Sequence, residues 1–583
     1  MVVVPEARGI VEARAILHNP RMSRRHLRSV PAAVLEEVRS LVGAAPRRDL
    51  LIECLHRLQD RNGYLSTDRL AALAAAMKLS RAEVYEVASF YHHFDVVRAG
   101  EMPPPPLTVR VCDSIACEMA GANELLAAIS QSLGDGVRVQ RVSCVGRCEC
   151  APVAVVGQNP VEEADVHAVQ WAIDAGATEA PLPEGARRMA GYRAAGGYRL
   201  YVDCTGGRRS AEDIIAALEH ANLRGLGGAG FPAGRKWRVV RDMPAPRLMA
   251  VNIDEGEPGT FKDRYYLERE PHRFLEGMLI AAWAVGIEKI FIYLRDEYAG
   301  LRAMLEEELA ALRAAFPQAP DIELRRGAGA YVCGEESAMI ESIEGKRGQP
   351  RLRPPYVAEV GLFGRPTLEH NMETLYWVRE IVERGADWFA SQGRHGRKGL
   401  RSFSVSGRVA KPGVHLAPAG ITLRELIDEF CEGMQPGHEL YAYLPGGASG
   451  GILPASLANV PLDFDTLQEH GCFIGSAAIV VLSQQDSARA AALSAMRFFA
   501  HESCGKCTPC RVGTQKAAEL MARDKWDTGL LTELAQAMQD ASICGLGQAA
   551  PNPLLSVLKF FPHELQTSFD TENTETQSAQ RKT

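Results

Sequence analysis

The feature that most constrains this chain is a glycine-rich segment at residues 223–237, LRGLGGAGFPAGRKW. Four glycines fall within six residues of it: Gly225, Gly227, Gly228 and Gly230. This density disfavours a regular helix, permits positive φ and lets backbone N–H groups approach a ligand closely, as an anionic phosphate requires. Arg224, Arg235 and Lys236 flank the glycines and can neutralise such a charge.

A second segment follows shortly, at residues 252–264, NIDEGEPGTFKDR. It sets Asp254, Glu255 and Glu257 together, which disfavours a phosphate but suits hydroxyls and amides. The two segments together suit a ligand with a phosphate at one end and a polyol or ring at the other. Each segment alone has an ordinary alternative, a turn for the glycines and a solvated face for the acids. The spacing also differs from G-x-G-x-x-G, so the usual dinucleotide fingerprint does not apply.

Taken together, the two segments resemble the flavin site of the NADH-oxidising flavoprotein subunit of respiratory complex I. That family carries a GxGGxGFPxGxKW loop followed by NxDEGEPGTFKDR. A third segment, at residues 327–356, GAGAYVCGEESAMIESIEGKRGQPRLRPPY, resembles the stretch that returns to the same site in the family. The resemblance implies FMN and NAD as ligands and hydride transfer without a catalytic side chain, with Glu257 in a positioning role.

The same resemblance implies the contact residues. Those expected to bind the FMN are Gly225, Gly227, Gly228, Gly230, Lys236, Asn252, Asp254, Glu255, Tyr331, Gly334, Glu335, His370 and Asn371. Those expected to bind NAD are Phe231, Glu257, Glu336, Arg353 and Tyr356, with the two aromatic rings as candidates to stack on adenine. The sequence departs from the family pattern at Leu226, Val239, Glu369 and His370, which puts the detailed contacts in question.

Eight of the fourteen cysteines stand at ligand-like spacings. Near the C-terminus the pattern is C-x2-C-x2-C with one remote cysteine, a strong [4Fe–4S] signature formed by Cys504, Cys507, Cys510 and Cys544. Nearer the N-terminus, two pairs spaced x4 and x3 follow predicted strands: Cys112 with Cys117, and Cys144 with Cys148. These pairs favour a [2Fe–2S] centre, with zinc as the alternative.

The N-terminal cysteine segment resembles the small thioredoxin-like ferredoxin subunit of complex I, including a C-x3-C-x-x-A-P ending. Cys150 falls between the expected ligands and is interpreted as a bystander, although exchange with Cys148 stays open.

Length and alternating patterns predict a multidomain α/β and α+β protein. The predicted units are a helical segment with a thioredoxin-like [2Fe–2S] module (1–172), a linker (173–199), a Rossmann-like FMN- and NAD-binding α/β domain (200–400), a β-grasp domain (401–483), a helical [4Fe–4S] domain (484–566) and a disordered tail (567–583).

Charge and hydropathy limit the location and partners of the chain. The net charge of −7 provides no global basic field for nucleic acid or an anionic membrane. Apolar runs fall short of the ~20 residues of a membrane helix, and residues 1–20 lack the apolar core of a signal peptide. A cytoplasmic protein is therefore expected.

A flavin beside iron–sulfur clusters converts between two-electron and one-electron transfer, so the resemblance implies a diaphorase subunit. The fused layout resembles the β subunit of NAD-dependent formate dehydrogenases, whose partner is a molybdenum- or tungsten-pterin α subunit. The alternatives are the diaphorase of an NAD-reducing hydrogenase, a complex I-like NADH dehydrogenase, and a non-catalytic iron–sulfur scaffold. The terminal substrate, the partner's metal, the direction of flux and the oligomeric state stay open.

Overall fold

The structure is a computed structural model that describes residues 30–43 and 45–565. The predicted tail at 567–583 lies outside the described residues. The N-terminal region is helical, as predicted, with α1 (Ala32–Val42), α2 (Leu51–Asn62), α3 (Thr67–Met77) and α4 (Arg81–Ala88), and with the short parallel pair β1 (Leu65–Ser66) and β2 (Val96–Val97). Ser80 and Glu83 cap α4 reciprocally and form a capping box.

The next module has the thioredoxin-like arrangement of a small sheet with flanking helices. Its elements are β3 (Leu107–Cys112), α5 (Ile115–Met119), α6 (Ala122–Ser132), β4 (Val137–Val142), β5 (Ala154–Val156), β6 (Asn159–Val161) and α7 (Val166–Asp174). The strand order is β4-β3-β5-β6, with β3 and β4 parallel. Both cysteine pairs follow the carboxyl ends of these two parallel strands, which brings them to one edge of the sheet.

The segment predicted as a linker contains ordered, buried structure in its second half. Two short helices, α8 (Met189–Ala194) and α9 (Arg199–Thr205), pack on the domain that follows. Tyr192 and Tyr198 are 2% and 1% exposed, and their hydroxyls bond to Glu276 and His272 at 2.7 Å each. The exact domain boundaries stay a prediction.

The central domain is a parallel sheet covered by helices. Its elements are α10 (Ala211–His220), α11 (Ala233–Arg241), β7 (Arg247–Ile253), α12 (Lys262–Leu267), α13 (Pro271–Val285), β8 (Ile287–Leu294), α14 (Ala299–Ala315), β9 (Asp321–Arg326), α15 (Glu336–Ile343), β10 (Thr367–Asn371), α16 (Met372–Tyr376), α17 (Val378–Arg384) and α18 (Ala386–Ala390). The strand order is β10-β7-β8-β9. β8 and β9 follow on one side of β7, whereas β10 lies on its other side, so the strand order reverses between β7 and β10. Ligands of open parallel sheets bind at the carboxyl ends of the strands at such a point.

The last two units are a mixed sheet and a helical bundle. The sheet, in the order β12-β11-β15-β13-β14, comprises β11 (Leu400–Gly407), β12 (Gly413–Pro418), β13 (Leu440–Leu444), β14 (Leu453–Pro454) and β15 (Ala478–Ser483), with the single helix α19 (Leu423–Phe430) among the described residues of the predicted β-grasp unit. The bundle comprises α20 (Ala488–Glu502), α21 (Thr508–Met521), α22 (Thr528–Ala541), α23 (Gly545–Ala549) and α24 (Asn552–Phe560). No helix among the described residues combines the length and apolarity needed to cross a membrane.

Candidate functional site

The glycine-rich segment forms a closed turn just before α11. The N–H of Gly225 donates to the carbonyl of Phe231 at 2.8 Å, which ties the two ends of the turn together. Within it, Gly228 and Gly230 have φ values of 122° and 67°, in the region that favours glycine. The turn is therefore held in a shape that other residues would adopt only with strain.

Asn371, at the end of β10, lies against this turn. A Cβ on Gly227 would come within 2.9 Å of the Asn371 Cβ, so the loop and the strand end are in close contact. The Asn371 side chain is fixed in turn, because its Nδ2 donates to Asp263 at 2.7 Å and its Oδ1 accepts from Lys262 at 3.2 Å. The strand end thus supports the glycine turn from below.

Lys262 is the buried cation of this support. It is 1% exposed, and its Nζ lies 2.8 Å from Asp263 and 3.0 Å from Glu373, both of which are also buried. Burial alone would lower the pKa of Lys262, but Asp263 and Glu373 raise it above its ordinary value. Lys262 is therefore charged, and its ammonium group holds the carboxylates of Asp263 and Glu373 in place.

The carboxylates of the acidic segment after β7 differ in their hydrogen bonds. Glu255 accepts the N–H groups of Asp263 and Arg264 at 2.7 and 3.1 Å and the Tyr298 hydroxyl at 2.9 Å. Burial, together with repulsion from Asp263, raises the pKa of Glu255 to about 7. These contacts join Glu255 to the start of α12, and its predicted role in cofactor binding stays a prediction.

Asp254 differs from its neighbour because one of its oxygens is free. Its Oδ2 is buried and has no hydrogen-bond partner within the described part of the chain. Burial raises the pKa of Asp254 well above its ordinary value. An orphaned acceptor at this position is what an N–H or O–H donor on a polar ring would satisfy, so the site fits the predicted flavin.

Glu257 is held by two donors from other segments. The Tyr331 hydroxyl donates to its Oε2, and the N–H of Ser449 donates to its Oε1 at 2.7 Å. Burial raises the pKa of Glu257, while these hydrogen bonds oppose the rise. Tyr331 therefore contacts the acidic segment directly and helps to fix Glu257 in position, while the predicted contact of Tyr331 with the flavin and the predicted positioning role of Glu257 stay predictions.

The third segment brings the remaining predicted residues to the same edge. Asn252 donates through its Nδ2 to the Gly334 carbonyl at 2.8 Å. Glu335 caps α15 through the N–H groups of Ser337 and Ala338 and also pairs with Arg353. Glu336 lies 3.1 Å from the same guanidinium. Phe231 and Tyr356, the two predicted adenine-stacking residues, are 43% and 55% exposed and so have free ring surface.

The two predicted residues Lys236 and His370 have protein partners. Lys236 Nζ lies 3.1 Å from Glu369 Oε2, a buried carboxylate whose pKa is raised by burial. The His370 side chain points to the opposite face of β10 from Asn371, where its Nε2 accepts the Trp237 indole N–H at 2.8 Å. A contact between His370 and a ligand beside Asn371 would therefore have to come from its backbone.

The four C-terminal cysteines predicted as cluster ligands line one small cavity. Cys504, Cys507, Cys510 and Cys544 share it with the apolar side chains Val332, Pro350, Ile543 and Leu546. Four thiols converging in an apolar pocket are the donor set that a cubane cluster requires. The residues present therefore fit a [4Fe–4S] centre, as predicted.

The N-terminal pairs also converge. Cys144 and Cys148 have their sulfurs 3.4 Å apart, and all four predicted ligands, Cys112, Cys117, Cys144 and Cys148, are buried. Cys150 is only partly buried, and burial raises its pKa to about 12. The 144–148 loop docks on the acidic segment, because Arg264 Nε donates to the Gly146 carbonyl at 2.9 Å.

Sequence reasoning missed two contributors to the site. The glycine loop at 446–451 lies in the predicted β-grasp domain, yet it reaches the site: a Cβ on Gly447 would meet Glu257 Cγ at 2.6 Å, and the N–H of Ser449 donates to the same carboxylate. Glu502 was not singled out, although it accepts the Tyr331 N–H at 3.0 Å and the Ser143 hydroxyl at 2.8 Å. Its position two residues before Cys504, beside a cluster motif, was the only signal.

Three family models match the chain. The Nuo51 FMN-binding domain matches residues 218–380, the thioredoxin-like [2Fe-2S] ferredoxin matches 39–176, and the NADH-ubiquinone oxidoreductase-F iron-sulfur binding region matches 490–568. These matches confirm the predicted fold class and the predicted cofactor set of FMN, [2Fe–2S], [4Fe–4S] and NAD.

Several characterised proteins are similar over long stretches. A subunit of the NADH-quinone oxidoreductase of Rhizobium meliloti is 40% identical over 401 residues, which are 66% of this chain and 94% of that relative. The mitochondrial NADH-ubiquinone oxidoreductase 51 kDa subunit of Neurospora crassa is 39% identical over 378 residues, 60% of this chain and 76% of that relative.

Two solved structures of an NAD+-reducing [NiFe]-hydrogenase resemble the whole architecture. The air-oxidised form has a TM-score of 0.77 and 34% identity, and the match covers 88% of this chain and 93% of that chain. The H2-reduced form has the same TM-score, 33% identity, and coverage of 91% and 97%. The chain therefore belongs to the Nuo51 family of NADH-quinone oxidoreductase flavoproteins, here fused to a thioredoxin-like [2Fe–2S] module, and is an NAD-dependent oxidoreductase subunit.

Proposed function

We propose that this chain is the NAD(H)–FMN diaphorase subunit of a larger enzyme and couples NAD(H) to a partner subunit through its iron–sulfur centres. Bound FMN supplies the chemistry that links hydride exchange with nicotinamide to single-electron exchange with clusters. The chain itself supplies binding and orientation, and the family resemblance implies no catalytic side chain.

One observation carries this proposal: the same segment serves the flavin site and the [4Fe–4S] site. Tyr331 bonds to Glu257 on the flavin side, while its neighbour Val332 lines the cysteine cavity. Further along, Lys506 Nζ donates to the Pro350 carbonyl at 2.7 Å, and Gln349 donates to the Cys504 carbonyl at 3.1 Å. The stretch from Tyr331 to Pro350 therefore contacts both candidate sites and brings them close together, which suits electron exchange between them.

We propose the residue roles implied by the family resemblance. The FMN would be held by the glycine turn, Lys236, the Asn252–Glu255 stretch, Tyr331, Gly334, Glu335, His370 and Asn371, and NAD by Phe231, Glu257, Glu336, Arg353 and Tyr356. The orphaned Asp254 oxygen and the free faces of Phe231 and Tyr356 support this assignment.

The partner's substrate is the finer part of the proposal. We favour formate, oxidised by a molybdenum- or tungsten-pterin subunit, with NAD+ as the acceptor, because GYRAAGGYRLY and NIDEGEPGTFKDRYYLERE resemble formate dehydrogenase β subunits. A hydrogen-oxidising partner is the second candidate, supported by the similarity of nearly the whole chain to part of an NAD+-reducing hydrogenase. Metal analysis of the co-purified large subunit separates the two, since molybdenum or tungsten supports formate and nickel contradicts it.

A pair of cysteine variants tests the diaphorase assignment. Cys507→Ala should remove the C-terminal centre and abolish partner-linked reduction of NAD+. It should leave NADH-driven reduction of an artificial acceptor that takes electrons at the flavin, because the FMN residues are untouched. Cys117→Ala should damage the N-terminal centre yet keep most partner-linked turnover, if that centre is a side branch.

Both variants must retain FMN and normal assembly, because loss of a metal centre can unfold its domain. Retention of partner-linked turnover by Cys507→Ala would refute the proposed electron route through the C-terminal centre. Loss of that turnover in folded Cys117→Ala would show that the N-terminal centre lies on it. Cluster absorption without flavin absorption would instead favour the iron–sulfur scaffold alternative, and a colourless protein would contradict both.

A further inference from the structure

A cluster of three side chains outside the flavin and iron–sulfur sites lies where the N-terminal helices meet the central sheet. His56 and Asp60 stand four residues apart on one face of α2, and His93 lies in the turn after α4. One nitrogen or oxygen from each of the three lies within 4.8 Å of the other two. Histidine and carboxylate at i and i+4 on a helix, with a third ligand from elsewhere, form a common metal-binding arrangement.

The contacts of His56 fix which of its nitrogens carries a proton. Its Nε2 lies 2.8 Å from the Gly327 carbonyl oxygen, which can only accept, so Nε2 must donate. The other nitrogen, Nδ1, is then a lone pair, and it is buried without a hydrogen-bond partner. The residue is 2% exposed, so bulk water does not satisfy this nitrogen.

His93 has the same arrangement with the nitrogens exchanged. Its Nδ1 lies 2.7 Å from Asp296 Oδ2, so this nitrogen donates to the carboxylate. Its Nε2 is buried and lacks a hydrogen-bond partner. A histidine whose second nitrogen donates to a carboxylate or carbonyl is the usual form of a metal-binding imidazole, because that bond orients the ring and raises its basicity.

The composition of the cluster suits a cation. His56 Nδ1, His93 Nε2 and the Asp60 carboxylate are all electron-pair donors; the two nitrogens are unpaired, while the carboxylate accepts from the Arg326 guanidinium. A water that donates to both nitrogens is the alternative occupant, which the experiment below distinguishes from a metal ion. The surrounding charges also allow a cation. Arg326 is the nearest positive group, but it is paired with both Asp60 and Asp296. Arg302 also lies near these groups.

We propose that His56, His93 and Asp60 bind a divalent transition-metal ion, with zinc as the best match to two imidazoles and one carboxylate. Zn–N bonds of about 2.0 Å require the ligand atoms to draw closer together than in the present arrangement. The second contacts of both histidines, Gly327 and Asp296, follow the carboxyl ends of β9 and β8. The ion would therefore clamp α2 and the turn after α4 to the edge of the sheet that carries the candidate flavin site.

Two substitutions remove the ligand nitrogens while keeping the other contacts. In His56→Gln the amide nitrogen can replace Nε2 as the donor to Gly327, and Nδ1 is lost. In His93→Asn the amide nitrogen can replace Nδ1 as the donor to Asp296, and Nε2 is lost. His92→Asn is the matched control, because it changes the adjacent histidine, which stacks on His501 with ring centroids 4.0 Å apart.

The experiment uses the full-length holoprotein, stripped of loosely bound metal, exposed to one equivalent of Zn2+ and dialysed. Zinc, iron and FMN are then measured per chain, and X-ray absorption at the zinc edge identifies the ligands. We expect wild type and His92→Asn to retain one zinc with nitrogen and oxygen ligands at about 2.0 Å, without sulfur at about 2.3 Å. The His56→Gln and His93→Asn variants should lose at least tenfold in zinc affinity with unchanged iron and FMN.

Three results would overturn the proposal. Wild type that retains no zinc would show that a water, donating to both imidazole nitrogens, fills the gap. Sulfur ligands would place the zinc at a cysteine centre. Equal zinc retention by wild type and both ligand variants would place it elsewhere. Hydrogen exchange gives an independent readout that a merely structural role of the histidines would not produce, since zinc should slow exchange in α2 of wild type and not in the two ligand variants.

Discussion

Replacement of Gly227 by alanine tests whether Asn371 sets the shape of the glycine turn. A Cβ at Gly227 would lie 2.9 Å from the Asn371 Cβ, closer than such contacts normally come. Asn371 cannot move away freely, since its side chain bonds to Asp263 and Lys262 and caps α16 through the N–H of Glu373 at 3.1 Å. The turn must therefore shift and deform the proposed phosphate cradle.

The expected size follows from the cost of overpacking, about 1–3 kcal/mol. If that cost falls on the ligand-bound shape, FMN binding weakens by about 5- to 150-fold. Gly225→Ala is the matched control in the same turn, because its Cβ would meet the Phe231 carbonyl oxygen at 3.5 Å and the Phe231 backbone nitrogen at 3.8 Å, both ordinary contacts. We expect its effect on FMN affinity to stay below about threefold.

The assay is titration of flavin-free protein with FMN, followed by quenching of flavin fluorescence. Circular dichroism and iron content must match wild type in both variants. Equal weakening by the two substitutions would refute the reasoning, because it would show that the ligand itself, and not Asn371, limits the space at the turn.

Three further predictions follow from the buried carboxylates and the ligand sites. Glu255 has a folded-state pKa of about 7, above its ordinary value of 4.5, so its contribution to stability is lost as pH rises through this interval. The thermal midpoint of wild type should therefore fall more between pH 5 and 8 than that of Glu255→Gln. Parallel pH profiles of the two proteins would contradict this. Glu502→Gln should keep partner-linked turnover, since its amide can accept from Tyr331 and donate to Ser143. Glu502→Ala should reduce that turnover at unchanged FMN content. Equal losses of turnover in the two variants would show that the charge of Glu502 matters. FMN should be the flavin released by acid, and NAD should be preferred over NADP, because Glu257 and Glu336 would repel a 2′-phosphate; stoichiometric FAD, or equal turnover with both nucleotides, would be the contrary results.

The α/β character of the central domain could be predicted because two of its strands are short, mainly apolar and largely buried runs: RLMAVNI in β7 and KIFIYL in β8. The segment of β9, DIELRR, is more polar and only partly buried. The cysteine sites could be recognised from the sequence equally well, because an iron–sulfur cluster requires most of its ligands at fixed spacings within short loops. Local sequence carries the information in both cases.

The contacts that escaped prediction join residues far apart in the chain. Tyr192 is buried against Glu276, 84 residues away, so an Ala- and Gly-rich stretch that resembles a linker is in part a packed element. Ser449 reaches Glu257 across 192 residues. The sequence also could not distinguish a carboxylate with an unpaired oxygen from one that accepts backbone N–H groups, as the adjacent pair Asp254 and Glu255 shows.

Glu502 connects three modules of the chain. Its carboxylate accepts one hydrogen bond from Ser143, next to the predicted [2Fe–2S] ligand Cys144, and one from Tyr331 in the third segment of the candidate flavin site. It also lies two residues before Cys504, so three candidate cofactor sites share one buried group. Burial raises the pKa of Glu502, and a buried polar group is tolerated only where its bonds are satisfied. Loss of either donor would leave the carboxylate unsatisfied, and this cost resists relative movement of the three sites.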